Sequence, residues 1–307
     1  MAAQPRKKRD VPDIQSDLDA VEGNAELADE ANFAARAEAV DFIEFNVIER
    51  IDGLLEQGQS QADLLPLKQR AERIKRRLDD IDEALFDRLR KDIRGGGLRG
   101  SALKDLIRGY TQSDADDGAQ PDEIGYDSLD TFINGLLHAQ AIPMETLPLE
   151  PGMVFYQKTP ARIILEIVEQ GRLTEADVFY DLGSGLGQVP ILVHLLSGAA
   201  AKGVEFEPAY CDYARTCAAD LEVSGVEFIQ ADARRADYAA GTVYFLYTPF
   251  NGEILAEVLE KLRRESRKPI RIFTYGPCTA EVTRVAWLRR LDPHGDDIHK
   301  LGEFAGL

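Results

Sequence analysis

Apolar positions follow two rhythms along this chain. In its early part they recur every three or four residues: Phe33, Val40, Ile43, Val47, Ile51 and Leu54–Leu55, then Leu67, Ile74, Leu78, Ile81, Leu85, Leu89 and Ile93. That spacing lines one face of a helix. It predicts amphipathic helices over about 31–56 and 66–93, able to pack as an antiparallel hairpin. Arg94-Gly-Gly-Gly-Leu98 ends the second, because glycine accepts the backbone angles at which helices stop. Residues 10–30 are acidic with few large apolar groups, so residues 1–30 are expected to form a partly disordered tail. Residues 113–123 read as a linker, and a helix over about 127–138 leads into a proline-rich stretch.

Beyond about residue 153 the rhythm changes. Short apolar runs at 178–182, 201–205, 226–232, 242–250 and 270–275 alternate with helix-like stretches at 160–170, 187–197, 208–221 and 251–264. Such alternation predicts an α/β fold, a doubly wound Rossmann-like parallel sheet with ligands at the carboxyl ends of its strands. The expected organisation is a tail (1–30), an N-terminal all-helical module (31–112), an acidic linker with a connecting helix (113–152) and the sheet domain (153–307).

The chemistry concentrates in Val178-Phe-Tyr-Asp-Leu-Gly-Ser-Gly-Leu-Gly-Gln-Val189, which reads as a strand, a glycine turn and a helix start. A helix N-terminus and free backbone N–H groups grip small ligands. Gly183, Gly185 and Gly187 give G-x-G-x-G, whereas a nicotinamide or flavin site wants G-x-G-x-x-G/A and here meets Gln188. Asp181 would repel a pyrophosphate. It suits an ammonium or sulfonium group, and S-adenosylmethionine (SAM) carries both. Glu205 follows the glycines by about 20 residues, the distance at which an acid reaches ribose hydroxyls. Asp232, ending the third run, is placed to accept from an adenine amino group.

These residues resemble class I SAM-dependent methyltransferases over about half the chain. Asp-Leu-Gly-Ser-Gly-Leu-Gly-Gln-Val followed by Gly-Val-Glu is similar, more narrowly, to the seven-strand histone-lysine methyltransferases of the disruptor-of-telomeric-silencing family. The resemblance implies a seven-strand sheet closed by an antiparallel pair from 287–291 and 299–304. It also implies a loop before the sheet that covers the methionine end of SAM, here Tyr156-Gln-Lys-Thr159. By that likeness Thr159, Asp181 and Gln188 hold the methionine end and Glu205 the ribose. Gly183, Ser184, Gly185, Gly187 and Phe206 complete the cofactor cradle, with Asp232 and Ala233 at the adenine. The chain departs from the family in three places. Gln157 and Lys158 replace Gly and Glu, Ala233 replaces an aromatic, and Tyr247-Thr248-Pro249-Phe250 replaces Asn-Asn-Phe. That last segment also resembles a worn Asn-Pro-Pro-Phe, the motif of amide and adenine-amine methyltransferases.

Composition narrows the partners. No apolar run approaches the roughly 18–20 residues of a membrane span, and Pro5–Arg9 is basic with no apolar stretch behind it, unlike a secretory leader. Three cysteines that cannot all pair suit reduced thiols, and the expected location is cytoplasmic. Four scattered histidines give no ligand spacing, so no metal is expected. The net charge of −18 disfavours nucleic acid as partner without excluding it, and suits a basic protein substrate. Residues 66–110 carry a local net charge of +5, and the basic stretch 66–108 reads as a solvated helix face. Homodimerisation through the N-terminal helices stays open.

The expected function is methyl transfer from SAM to a protein side-chain amine of lysine type. A small molecule or RNA as acceptor, or a SAM-binding sensor without catalysis, are the alternatives. Tyr156, Tyr247 and Phe250, with Tyr275, are candidates for an aromatic acceptor channel, and Thr248 for a polar contact within it. The same aromatics would serve equally as core at strand ends, and Tyr156 and Thr159 as packing and cap for the helix near Pro160.

Overall fold

The computed structural model describes residues 11–111, 127–137, 141–295 and 297–306. The chain divides into two compact units, the first drawn from the N-terminal helices and the second holding the sheet.

The first unit is helical. It begins with α1 (Val11–Gly23) and a 3-10 turn (Ala25–Ala28) whose Asn24 side chain accepts from the Glu26 N–H. Then come α2 (Phe33–Asp41), a π-helical stretch (Phe42–Ile48), α3 (Glu49–Glu56) and the first part of α4 (Gln61–Arg94). Ile14 and Leu18 of α1 are fully buried with Ile43, Val47, Ile51, Ile74 and Leu78. Residues 11–28 are thus helical where sequence composition pointed to a tail. Two apolar residues four apart are too sparse a stripe to read, yet they suffice once a neighbouring cluster receives them. The end of α5 (Gly100–Thr111) and most of α6 (Ser128–Leu137) add an aromatic knot, in which Phe33, Phe86 and Phe132 meet edge to face and Tyr110 stacks on Phe132. α5 lies beyond the helices that periodicity predicts, and buries Leu103 and Ile107. α4 ends at Arg94, where Gly96 takes φ 74°. The expected linker at 113–123 lies outside the described residues.

The second unit is a seven-stranded sheet. β1 (Val178–Leu182), β2 (Ala200–Glu205), β3 (Val226–Gln230), β4 (Val243–Tyr247), β5 (Arg271–Tyr275), β6 (Leu288–Arg290) and β7 (Gly302–Gly306) stand in the order 3-2-1-4-5-7-6. β1 to β5 are parallel, and β7 runs antiparallel to both β5 and β6. The interleaved helices are α7 (Ala161–Gly171), α8 (Gln188–Ser197), α9 (Pro208–Asp220), α10 (Gly252–Glu265) and the short α11 (Cys278–Val282). Both faces of the central strands are covered, so β1, β4 and β5 read as nearly unbroken apolar runs. Tyr180, Leu246, Val258, Ile272 and Phe304 form part of the core on one side. The fourth apolar run predicts a strand to Phe250, but the strand stops at Tyr247. Thr248 turns to φ 41° and Pro249 has no N–H to give a ladder. Among the described residues, no helix is long and apolar enough to cross a membrane, and no cluster of His, Cys, Asp and Glu could hold a metal ion.

Candidate functional site

The strand order reverses direction between β1 and β4, and a cavity of about 1060 Å³, counting its open mouth, lies at the carboxyl ends of the strands there. Its floor is the glycine turn. Gly183, Gly185 and Gly187 all have positive φ. Gly185 matters twice over, because a Cβ there would lie 2.1 Å from the Tyr156 ring. The turn is held open by Glu205 at the end of β2, whose carboxylate accepts from Gly185 N–H (2.6 Å) and from Glu207 N–H (2.8 Å).

Two buried carboxylates face the same space. Asp181 is 3 % exposed and Glu205 8 %. Burial pushes the Asp181 carboxyl well above the usual carboxylate range, and the charge of Glu205 pushes it further. Burial also raises Glu205, partly offset by the N–H donors of Glu207 and Gly185. Two desolvated acids side by side favour a cation between them. Gln188, at the start of α8, donates to the Thr159 carbonyl (3.2 Å), while its Oε1 is buried without a partner, as is the Ser184 hydroxyl. These acids and orphaned polar atoms fit a ligand that combines an ammonium and a sulfonium with hydroxyl donors, as SAM does.

At the third strand end, Asp232 takes hydrogen bonds from the backbone N–H of Arg234 (2.8 Å) and from its guanidinium. The guanidinium holds Asp232 below its ordinary pKa, so it stays an acceptor. Arg234 also reaches Glu150 (2.6 Å). Ala233 and Phe206 line the wall nearby.

Beyond β4 the wall is aromatic. Tyr247 packs on Tyr275 with ring centroids 4.9 Å apart, and Arg162 donates to the Tyr275 hydroxyl (3.1 Å). Tyr247 and Phe250 line the cavity; Tyr275 stands behind Tyr247 as a buried support. Phe250 is also part of the core beneath α10. The Thr248 hydroxyl is engaged, donating to the Tyr275 carbonyl (3.0 Å) and accepting from Cys278 N–H (3.2 Å). It fixes the turn rather than offering a free polar group to a ligand.

The outer wall comes from the segment before the sheet. Met153 bridges Phe250, Val154 N–H donates to the Pro249 carbonyl and Asn251 N–H to the Gly152 carbonyl. Tyr156 then lies across Gly185 and against Tyr210 (centroids 5.3 Å apart), whose hydroxyl donates to Glu145 (3.0 Å). Of the residues singled out from sequence, Tyr156, Thr159, Asp181, Gly183, Ser184, Gln188, Glu205, Phe206, Asp232, Ala233, Tyr247, Thr248 and Phe250 all line this cavity, while Gly185 and Gly187 of the same turn do not. Sequence reasoning missed Glu207, Tyr210, Arg234 and Glu150. Glu207 had a legible signal, an acid just before a proline at a helix start, where it caps α9 through Ala209 N–H. Arg234 and Glu150 had none, since 84 residues separate them.

A family profile described as "Histone methylation protein DOT1" matches residues 153–243, from the outer wall through β1, β2 and β3 to the start of β4. No curated protein matches the chain. Solved structures similar to it include an RNA methyltransferase from Salinibacter ruber in complex with S-adenosyl-L-homocysteine (26 % identity, 49 % of this chain and 92 % of that one, TM-score 0.40). Another is precorrin-6y C5,15-methyltransferase from Geobacter metallireducens (14 % identity, 50 % and 94 %, TM-score 0.40). A third is geranyl diphosphate C-methyltransferase from Streptomyces coelicolor (20 % identity, 37 % and 41 %, TM-score 0.32), of whose length the chain spans less than half.

Proposed function

We propose that this chain, a class I SAM-dependent methyltransferase related to DOT1 through residues 153–243, methylates a side-chain amine of a protein, of lysine type. The observation that carries the reading is the DOT1 match over the cavity floor, continued by an aromatic wall of Tyr247 and Phe250 beside it. The match stops before Tyr247-Thr248-Pro249-Phe250, so the acceptor is inferred from the chemistry of that wall.

SAM, when bound, supplies a methyl group on a sulfonium. Asp181, Gln188 and the Thr159 backbone would hold its methionine end, Glu205 the ribose and Asp232 the adenine. In-line displacement then needs alignment more than covalent help, and alignment alone can contribute roughly 7–11 kcal/mol. An attacking amine must be neutral. A water-poor wall lowers an amine pKa by disfavouring its charged form, and Tyr247, braced by Tyr275 and Arg162, offers such a wall. No general base is required of the protein, because the amine can lose its proton to water on entry.

Incubation with methyl-labelled SAM and, in separate reactions, lysine-rich protein, RNA and small amines tests this. Label retained on lysine supports the reading. Label found only in RNA or in a small molecule overturns it.

A further inference from the structure

Segment 145–154 crosses the outside of the cofactor cavity, with Glu145, Leu147, Leu149, Met153 and Val154 in its lining. Residues 145–150 are all exposed, so burial does little to keep them there. Polar contacts do, at both ends of the segment.

At one end Glu207, 6 % exposed, accepts from Thr146 N–H (2.9 Å), the Thr146 hydroxyl (2.5 Å) and Leu147 N–H (2.8 Å), while still capping α9. Burial would raise this acid, yet four such donors, the Thr146 hydroxyl foremost, bring it down to about 2. It is therefore ionised, with three of its four donors in the segment and the fourth in α9. At the other end Arg234 joins Glu150 to Asp232. The two clasps rise from the loops after β2 and β3, just beyond Glu205 and beside Asp232.

We propose that Glu207 and Arg234 are positioning residues that latch residues 145–150 over the bound cofactor and so set how slowly the demethylated product leaves. This rests on Asp232 and Glu205 holding the nucleoside. A latch of exposed backbone and a few polar contacts opens locally without unfolding the sheet. Loss of a clasp then speeds departure more than it slows arrival, as contact losses at a preformed site generally do.

The test is the dissociation rate of S-adenosylhomocysteine from the full chain, by stopped flow, for wild type, Thr146→Val, Glu150→Gln and Arg234→Lys. Thr146→Val alters an exposed residue of the segment and leaves the sheet intact. It should speed release roughly tenfold with association within about threefold, and Glu150→Gln should act in the same direction by less, its pair being more exposed. Arg234→Lys, which cannot span two carboxylates with one fork, should match or exceed Glu150→Gln. Faster release with an unchanged melting temperature supports the latch, since a merely structural role would move the melting temperature instead. Tight product binding with release unchanged in all three variants overturns the latch alone. Absence of product binding by the wild type overturns the cofactor assignment with it.

Discussion

At the scale of single residues, Asp181 is the most informative side chain. Its carboxyl is raised in the free protein by burial and by Glu205, and a bound cation favours its ionised form. Binding of SAM should therefore release a proton, and affinity should fall as pH drops below the raised pKa and level off above it. Calorimetry over a pH series, in two buffers of different ionisation enthalpy, measures both effects. Asp181→Asn should weaken binding and flatten the pH dependence. The same sign has a cost for the empty protein. A carboxyl raised on folding contributes stability at low pH that is lost as pH climbs through its folded pKa, so Asp181→Asn should melt higher than wild type at neutral pH without ligand. Gly185 offers a second test. Alanine there meets the Tyr156 ring and takes φ 50°, a backbone penalty of roughly 1–2 kcal/mol before the clash. Gly185→Ala should lose at least about tenfold in SAM affinity, since one ring must move and the N–H to Glu205 shifts with it.

At the scale of elements, the helical unit has its own keystone. Arg36 of α2 is fully buried, ion-paired to Asp82 of α4 (2.6 Å) and donating to the carbonyls of Leu27, Asp29 and Glu30. One guanidinium thus closes the 3-10 turn and ties it to α4. Arg36→Ala leaves Asp82 and three carbonyls without their donor, and should cost about 3–5 kcal/mol by urea unfolding of that unit. Arg36→Met, which keeps the aliphatic bulk, should cost less, and equal losses would show that packing rather than charge holds the turn. Sequence periodicity located α4 and the α2–α3 stretch because their apolar stripes are long. It could not locate the Arg36 contacts, since three of them go to backbone carbonyls, which carry no side-chain signature.

At the scale of the whole molecule, net charge becomes a kinetic quantity. A protein at −18 attracts basic partners over a Debye length, about 8 Å at physiological salt. If the acceptor is a lysine-rich protein, kcat/KM should fall steadily as ionic strength rises, with KM for SAM changing less. A flat profile would point away from a basic macromolecular substrate. The charge is unevenly spread, and residues 66–110 are locally basic. There Lys68, Arg70, Lys75 and Arg88 form ion pairs with carboxylates, two of which reach back to the acids of α1. Part of the apparent basic patch is thereby spent inside the unit.

The sequence by itself determined the α/β sheet, the position of the glycine turn and the acids at three strand ends, because strand and helix periods and turn chemistry are local properties of the chain. It also pointed to SAM as the cofactor, through Asp181, the G-x-G-x-G spacing and Glu205. Only the tertiary structure decided what those residues do to one another. Glu205 raises the Asp181 carboxyl because β1 and β2 are neighbours in the sheet. Thr248 proves to be a brace, because β5 lies beside β4. Glu207, Tyr210, Arg234 and Glu150 enter the site across separations of tens of residues. Hydrogen bonds between distant residues are consequences of packing, and a one-dimensional pattern holds no record of them until the chain has folded.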